Sequence, residues 1–132
     1  MKKLLTLTVI LYSLMFSSVS FGEWTEVGES EGGDIFYVDF DTVRVRNDYI
    51  YYWKLQDYIA PRKIWFSMKG YTQVDCNAFR SKTLTYIAYT QSMGKGTGET
   101  VNRENPPWKY HPPNSVMNDE MTLICEQYSS TQ

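Results

Sequence analysis

Gly94-Lys95-Gly96-Thr97-Gly98 is the stretch of this chain whose residue types first suggest chemistry, since closely spaced glycines beside a lysine can wrap a phosphate. The spacing does not carry the idea through. The Walker pattern is missing, residue 99 is Glu where a dinucleotide fingerprint needs glycine, and no helical pattern follows to present a positive terminus. A flexible hairpin or loop is the expectation. Asp39 and Asp41 lie two apart with Asp34 nearby, and paired carboxylates can bind calcium or divide acid and base roles. Without a glycine-containing ligand loop they read as a solvated strand end. His111 is the sole histidine, and neither a zinc site nor a triad can be assembled around it from the sequence; a loop position is expected. No catalytic residue, metal ligand or cofactor is therefore assigned, and a non-enzymatic protein is expected.

The two cysteines, Cys76 and Cys125, bear on architecture instead. Residues 64–76 alternate at period two: Ile64, Phe66, Met68, Gly70, Thr72, Val74 and Cys76 against Trp65, Ser67, Lys69, Tyr71, Gln73 and Asp75. Successive side chains of a strand point to opposite faces, so this is a half-buried antiparallel strand with Cys76 on its core side. After Pro113 the period changes. Met117, Met121, Ile124, Cys125 and Tyr128 fall on one face of a helix, with Asn114 or Ser115 placed to cap it and Asp119 and Glu120 at its positive end. Two independent periodicities point both sulfurs inward. A single disulfide between them is expected in an exported chain, with free thiols the competing reading.

Export is read from the first residues. Lys2 and Lys3 precede an apolar run from Leu4 to Phe16, followed by Ser17, Ser18, Ser20 and Gly22, the pattern of a secretory signal peptide. The run is short for a span, which takes about 20 apolar residues. Cleavage is placed after Gly22, with Ser20 a close alternative, giving residues 1–22 as signal peptide and 23–132 as a single domain. No transmembrane segment is expected in the mature chain, and the leader lacks the cysteine of a lipid anchor. The 13 Lys and Arg, less Lys2 and Lys3, against 15 Asp and Glu leave a mature charge of −4. That balance, with no basic run, argues against nucleic acid as a partner.

Between leader and helix the chain reads as short strands and turns: Trp24 to Val27, Asp34 to Asp39, Thr42 to Arg46, Tyr49 to Tyr58, Ile64 to Cys76, Lys82 to Met93 and Glu99 to Arg103. In Tyr49 to Tyr58, Tyr51, Trp53 and Leu55 form the expected buried set against Tyr52, Lys54 and Gln56. The fold class is α+β: an antiparallel sheet of about five or six strands with one C-terminal helix packed on one face and held by the disulfide. A helix covers only one side of a sheet. Tyr52, Trp65 and Tyr71 are therefore expected on the open face, where aromatics among polar groups suit recognition or a dimer contact.

Trp24, Tyr37-Val38-Asp39, Trp53-Lys54-Leu55-Gln56-Asp57-Tyr58, Ser67-Met68-Lys69, Asp75-Cys76, Ser92-Met93-Gly94-Lys95-Gly96, Trp108, Pro112-Pro113-Asn114-Ser115 and Cys125 together resemble the surface-adhesin protein E family of Gram-negative bacteria. The resemblance implies a sheet with a helix tethered to it by a disulfide. It also implies an exported protein of the outer cell surface or periplasm that binds host extracellular-matrix or plasma proteins such as vitronectin and laminin, with a homodimer as one form. Host binding in the family is attributed to a basic segment; here Arg62, Lys63 and Lys69 are the densest basic group and they are sparse. An envelope module sharing only the fold is the alternative.

Overall fold

The computed structural model describes residues 23–129, so the expected signal peptide, 1–22, lies outside the described residues. Six strands follow one another: β1 (Thr25–Glu29), β2 (Ile35–Arg46), β3 (Tyr49–Arg62), β4 (Trp65–Asp75), β5 (Arg80–Gln91) and β6 (Lys95–Asn102). Each pairs antiparallel with its chain neighbour, giving a single sheet in the order β1-β2-β3-β4-β5-β6. The helix α1 (Val116–Tyr128) lies against one face. This is the α+β architecture expected from the two periodicities.

Several local expectations change. Asp34 to Asp39 and Thr42 to Arg46 form one strand, interrupted by a shift of register between Asp39 and Arg44. The carboxylates at 39 and 41 sit at that irregularity: Asp39 Oδ1 accepts from the Asp41 N–H at 3.1 Å, and Thr42 Oγ1 donates to the Asp39 carbonyl at 2.6 Å. Asp34 is buried and accepts from the Ile59 N–H, Gln56 Nε2 and Arg62 Nη2, fastening the β1–β2 turn to β3. These acids brace backbone. Of the two expectations for the glycine-rich stretch, hairpin or loop, the structure takes the hairpin. Lys95 through Gly98 belong to β6, after a tight turn at Ser92–Gly94 in which Gly94 has φ +69° and lies so close to the Lys69 side chain that a Cβ would come within 2.6 Å of it.

The core forms where the helix meets the sheet: Val38, Val43, Ile50, Tyr52 and Val74 against Met121 and Ile124. Cys76, just past β4, bonds to Cys125 of α1, with the Cα atoms 5.7 Å apart at a sequence separation of 49. Burial of the even β4 positions holds from Gly70 to Val74 and fails earlier, with Ile64 62% and Phe66 38% exposed. The cause is length. Thirteen helical residues span about 20 Å and the eleven of β4 about 36 Å, so one end of the sheet extends past its cover.

Ser115 supplies the helix cap, its Oγ accepting from the Asn118 N–H at 3.2 Å. Ser115→Ala should lower the unfolding free energy by about 1 kcal/mol, read from urea melts followed by circular dichroism.

Candidate functional site

The face opposite α1 carries the aromatic surplus. β3 and β4 are in register with Trp53 opposite Tyr71, Tyr51 opposite Gln73 and Tyr52 opposite Thr72. Side chains alternate, so Tyr51, Trp53 and Tyr71 share the face away from the helix while Tyr52 and Thr72 point toward it. The Tyr71 ring lies 5.1 Å from Trp53 and 6.0 Å from Tyr51, making one half-buried aromatic row. At one end, Trp108 packs 5.5 Å from Tyr49, and Arg80 and Lys82 lie over its ring at 4.5 and 4.3 Å. A short bridge between Lys109 and Ser81 holds this segment beside β5, past the end of β6. At the other end the face is roofed. Gly94 N–H donates to Ser67 Oγ and Met93 N–H to Asp57 Oδ1, while Lys69 reaches between the rings of Trp24 and Tyr89.

Of the three aromatics expected on the open face, Tyr71 lies in the row. Trp65 is half-buried six residues earlier on β4, about 20 Å along the strand, and outside it. Tyr52 is a correction: it is fully buried under the helix, while of the set expected inside Tyr51 and Trp53 lie half-buried on the other face and Leu55, on that same face, is fully buried. The physical reason is Glu120. Its carboxylate, 0% exposed, accepts from the Tyr52 hydroxyl at 2.6 Å and pairs with Lys54 Nζ at 3.3 Å. Lys54 also points at the Met117 sulfur and lies 5.1 Å from the Phe36 ring. Hydroxyl and ammonium are admitted to the core because a carboxylate meets them there. Burial pushes the Tyr52 hydroxyl well above the usual tyrosine range, with the Glu120 charge adding to it.

The basic groups are also rearranged relative to the sequence reading. Arg62 is held by Asp34 at 2.8 Å and lies over Tyr58, apart from Lys69. Arg80 and Lys82 instead converge on Trp108, which linear order could not reveal because 26 residues separate Lys82 from Trp108. His111 is half-buried on the helix side, and its Nε2 shares a hydrogen bond of 2.8 Å with Ser81 Oγ. Among the described residues no carboxylate bonds to its other ring nitrogen, the feature that orients the base of a hydrolytic triad. Burial lowers its pKa, with the charges of Lys54 and Lys109 acting in the same direction and Glu120 opposing them. Among the described residues no three His, Cys, Asp or Glu groups converge on a metal position, and no helix is long and apolar enough to cross a membrane.

Comparison with known proteins agrees with this geometry. The profile of a family described as surface-adhesin protein E matches residues 24–126. Two solved structures of Haemophilus influenzae protein E superimpose with TM-scores of 0.64 and 0.62 at 13% and 14% identity. They cover 83% and 81% of this chain and 90% and 86% of their own. Protein E from non-typeable Haemophilus influenzae gives 0.57 at 14% identity, covering 84% of this chain and 82% of that one. At such identities the likeness is one of fold. No curated protein matches in a sequence search. With the profile spanning the whole sheet and nearly all of the helix, the chain belongs to the surface-adhesin protein E family and is a non-enzymatic adhesin-type protein of the cell surface or envelope.

Proposed function

We propose that the chain is an adhesin that engages host extracellular-matrix or plasma proteins, of the kind represented by vitronectin and laminin, through the sheet face opposite α1. The carrying observation is the half-buried row of Tyr51, Trp53 and Tyr71, continued at its rim by Trp108 under Arg80 and Lys82. Rigid aromatics flanked by cations are the composition of binding hot spots, and the rim is basic although the chain as a whole is acidic.

Biolayer interferometry on immobilised vitronectin and laminin tests the reading. Trp53→Ala and Tyr71→Ala should each weaken binding at least tenfold, a loss of about 1.4 kcal/mol or more, with thermal unfolding checked in parallel. Undiminished binding by both variants removes this face from consideration, and no binding by the native chain removes the host-matrix reading itself. Protease treatment of intact cells separates outer-surface display, where the domain is digested, from a periplasmic location, where it survives. Sedimentation of the purified chain reports whether the same face is used in a homodimer.

A further inference from the structure

On the helix side, away from the aromatic row, the sheet and the first turn of α1 enclose a cleft of about 280 Å3, close to the lower limit of small-molecule sites. Gly70 forms its floor. Its cross-strand neighbours are Lys54 and Tyr86, and the atoms nearest to a Cβ placed there would be Thr83 Cγ2 at 3.2 Å and the Lys54 stem at 3.5 and 3.9 Å. The space over Gly70 exists because that residue has no side chain. Phe36, Met68 and Met117 line the cleft with apolar surface.

Its polar lining has one sign. Lys54, Lys109 and His111 line the cleft, and no aspartate or glutamate does. Lys54 is the informative member, because its side chain is only 7% exposed and its charge cannot be explained as a solvated surface group. An ammonium has three N–H donors. Glu120 and the Met117 sulfur account for two, which leaves a third donor on a residue that lines the cleft. The charges of Lys54 and Lys109 both act against protonation of His111, and Glu120, which stands behind Lys54 and is not among the lining residues, opposes them. His111 is fixed by Ser81, and Lys109 stands exposed at the rim.

We propose that this cleft binds a small amphipathic carboxylate, its apolar body over Gly70 between Phe36, Met68 and Met117 and its carboxylate toward Lys54, Lys109 and His111. Apolar walls with convergent donors favour such an acid over a fully hydrated anion, which would leave the walls unused, and over a neutral hydrocarbon, which would leave the donors unpaired. The site is distinct from the aromatic face, so it stands or falls separately from matrix binding.

The probes are benzoate and hexanoate, with benzamide and hexylamine as uncharged and cationic counterparts, titrated into the full mature chain and followed by amide chemical shifts. Saturable shifts centred on Gly70, Thr83 and His111 are expected with the acids, and at least tenfold weaker binding with benzamide and hexylamine. Gly70→Val should fill the floor and abolish the shifts. Lys109→Glu, an exposed substitution that leaves the core untouched, should weaken acid binding at least fivefold, so the test survives if the valine variant fails to fold. Shifts centred elsewhere, equal binding of acid and amide, or a Lys109→Glu chain that binds the acids unchanged would overturn the proposal, as would no saturable shift with either acid.

Discussion

Glu120→Leu is expected to lower the unfolding free energy by about 3–5 kcal/mol, the cost of leaving a buried ammonium without its counter-charge. A domain of this size is stable by about 5–15 kcal/mol, so the variant should be partly unfolded at 37 °C. The loss comes from what stays behind: Lys54 is enclosed by Phe36 and Met117, and the Tyr52 hydroxyl loses its 2.6 Å acceptor. Replacing all three groups together, as Tyr52→Phe, Lys54→Met and Glu120→Leu, should return stability to within about 1 kcal/mol of the native chain, because no polar group is then stranded. Urea melts of the single and triple variants decide it. A single variant within 1 kcal/mol of native would mean the pair is not engaged. Alkaline titration gives an independent reading. Tyr52 is held protonated in the folded chain, so its contribution is complete below about pH 10 and is lost as pH rises beyond the unfolded tyrosine value. Above that point unfolding should be favoured by about 1.4 kcal/mol per pH unit from this group, and Tyr52→Phe should remove that slope.

Removing the disulfide gives the other large effect. Cys76→Ser with Cys125→Ser opens a 49-residue loop, for which chain entropy assigns about 4 kcal/mol. At roughly 4–8 °C per kcal/mol for a small domain, the melting temperature should fall by about 20 °C. The loss should concentrate at the helix. Amides of α1 are expected to lose hydrogen-exchange protection first, since only one turn of it is secured by Ser115 and the sheet has its own ladder. Equal loss of protection in β3, β4 and α1 would contradict this.

The helix and the strand that bear the sulfurs were legible because both are amphipathic on their own terms, period two before Cys76 and period 3.6 around Cys125. A helix cap at Asn114 or Ser115 was legible for the same local reason, and Ser115 supplies it. Face assignment in β3 was not. Hydrophobicity ranks Tyr51 and Trp53 above Tyr52 and Lys54, and the structure reverses the order because Glu120, 66 residues downstream of Lys54, makes the polar pair admissible in the core. Nothing in a strand read by itself announces such a partner. A glutamate on the sheetward side of a helix, one turn from Ile124 and beside Met121, was the available signal. By position alone it reads as a charge serving the helix terminus. The first half of strand β6, residues 95–98, is hidden for a different reason. Its glycines argue for a loop, and pairing with β5 overrides that preference.

In this sheet, order in space repeats order in sequence. A chain delivered N-terminus first, from a ribosome or a secretion pore, can therefore zip each new hairpin onto the one before it without waiting for distant residues. The exception is the step that closes the core. Val38, Ile50 and Val74 stay uncovered until Met121 and Ile124 emerge, and the leading sulfur must wait for a partner 49 residues behind it. The vulnerable interval in biogenesis is thus the last one: a finished ribbon with a bare oily side and an unpaired thiol, relieved when the tail arrives.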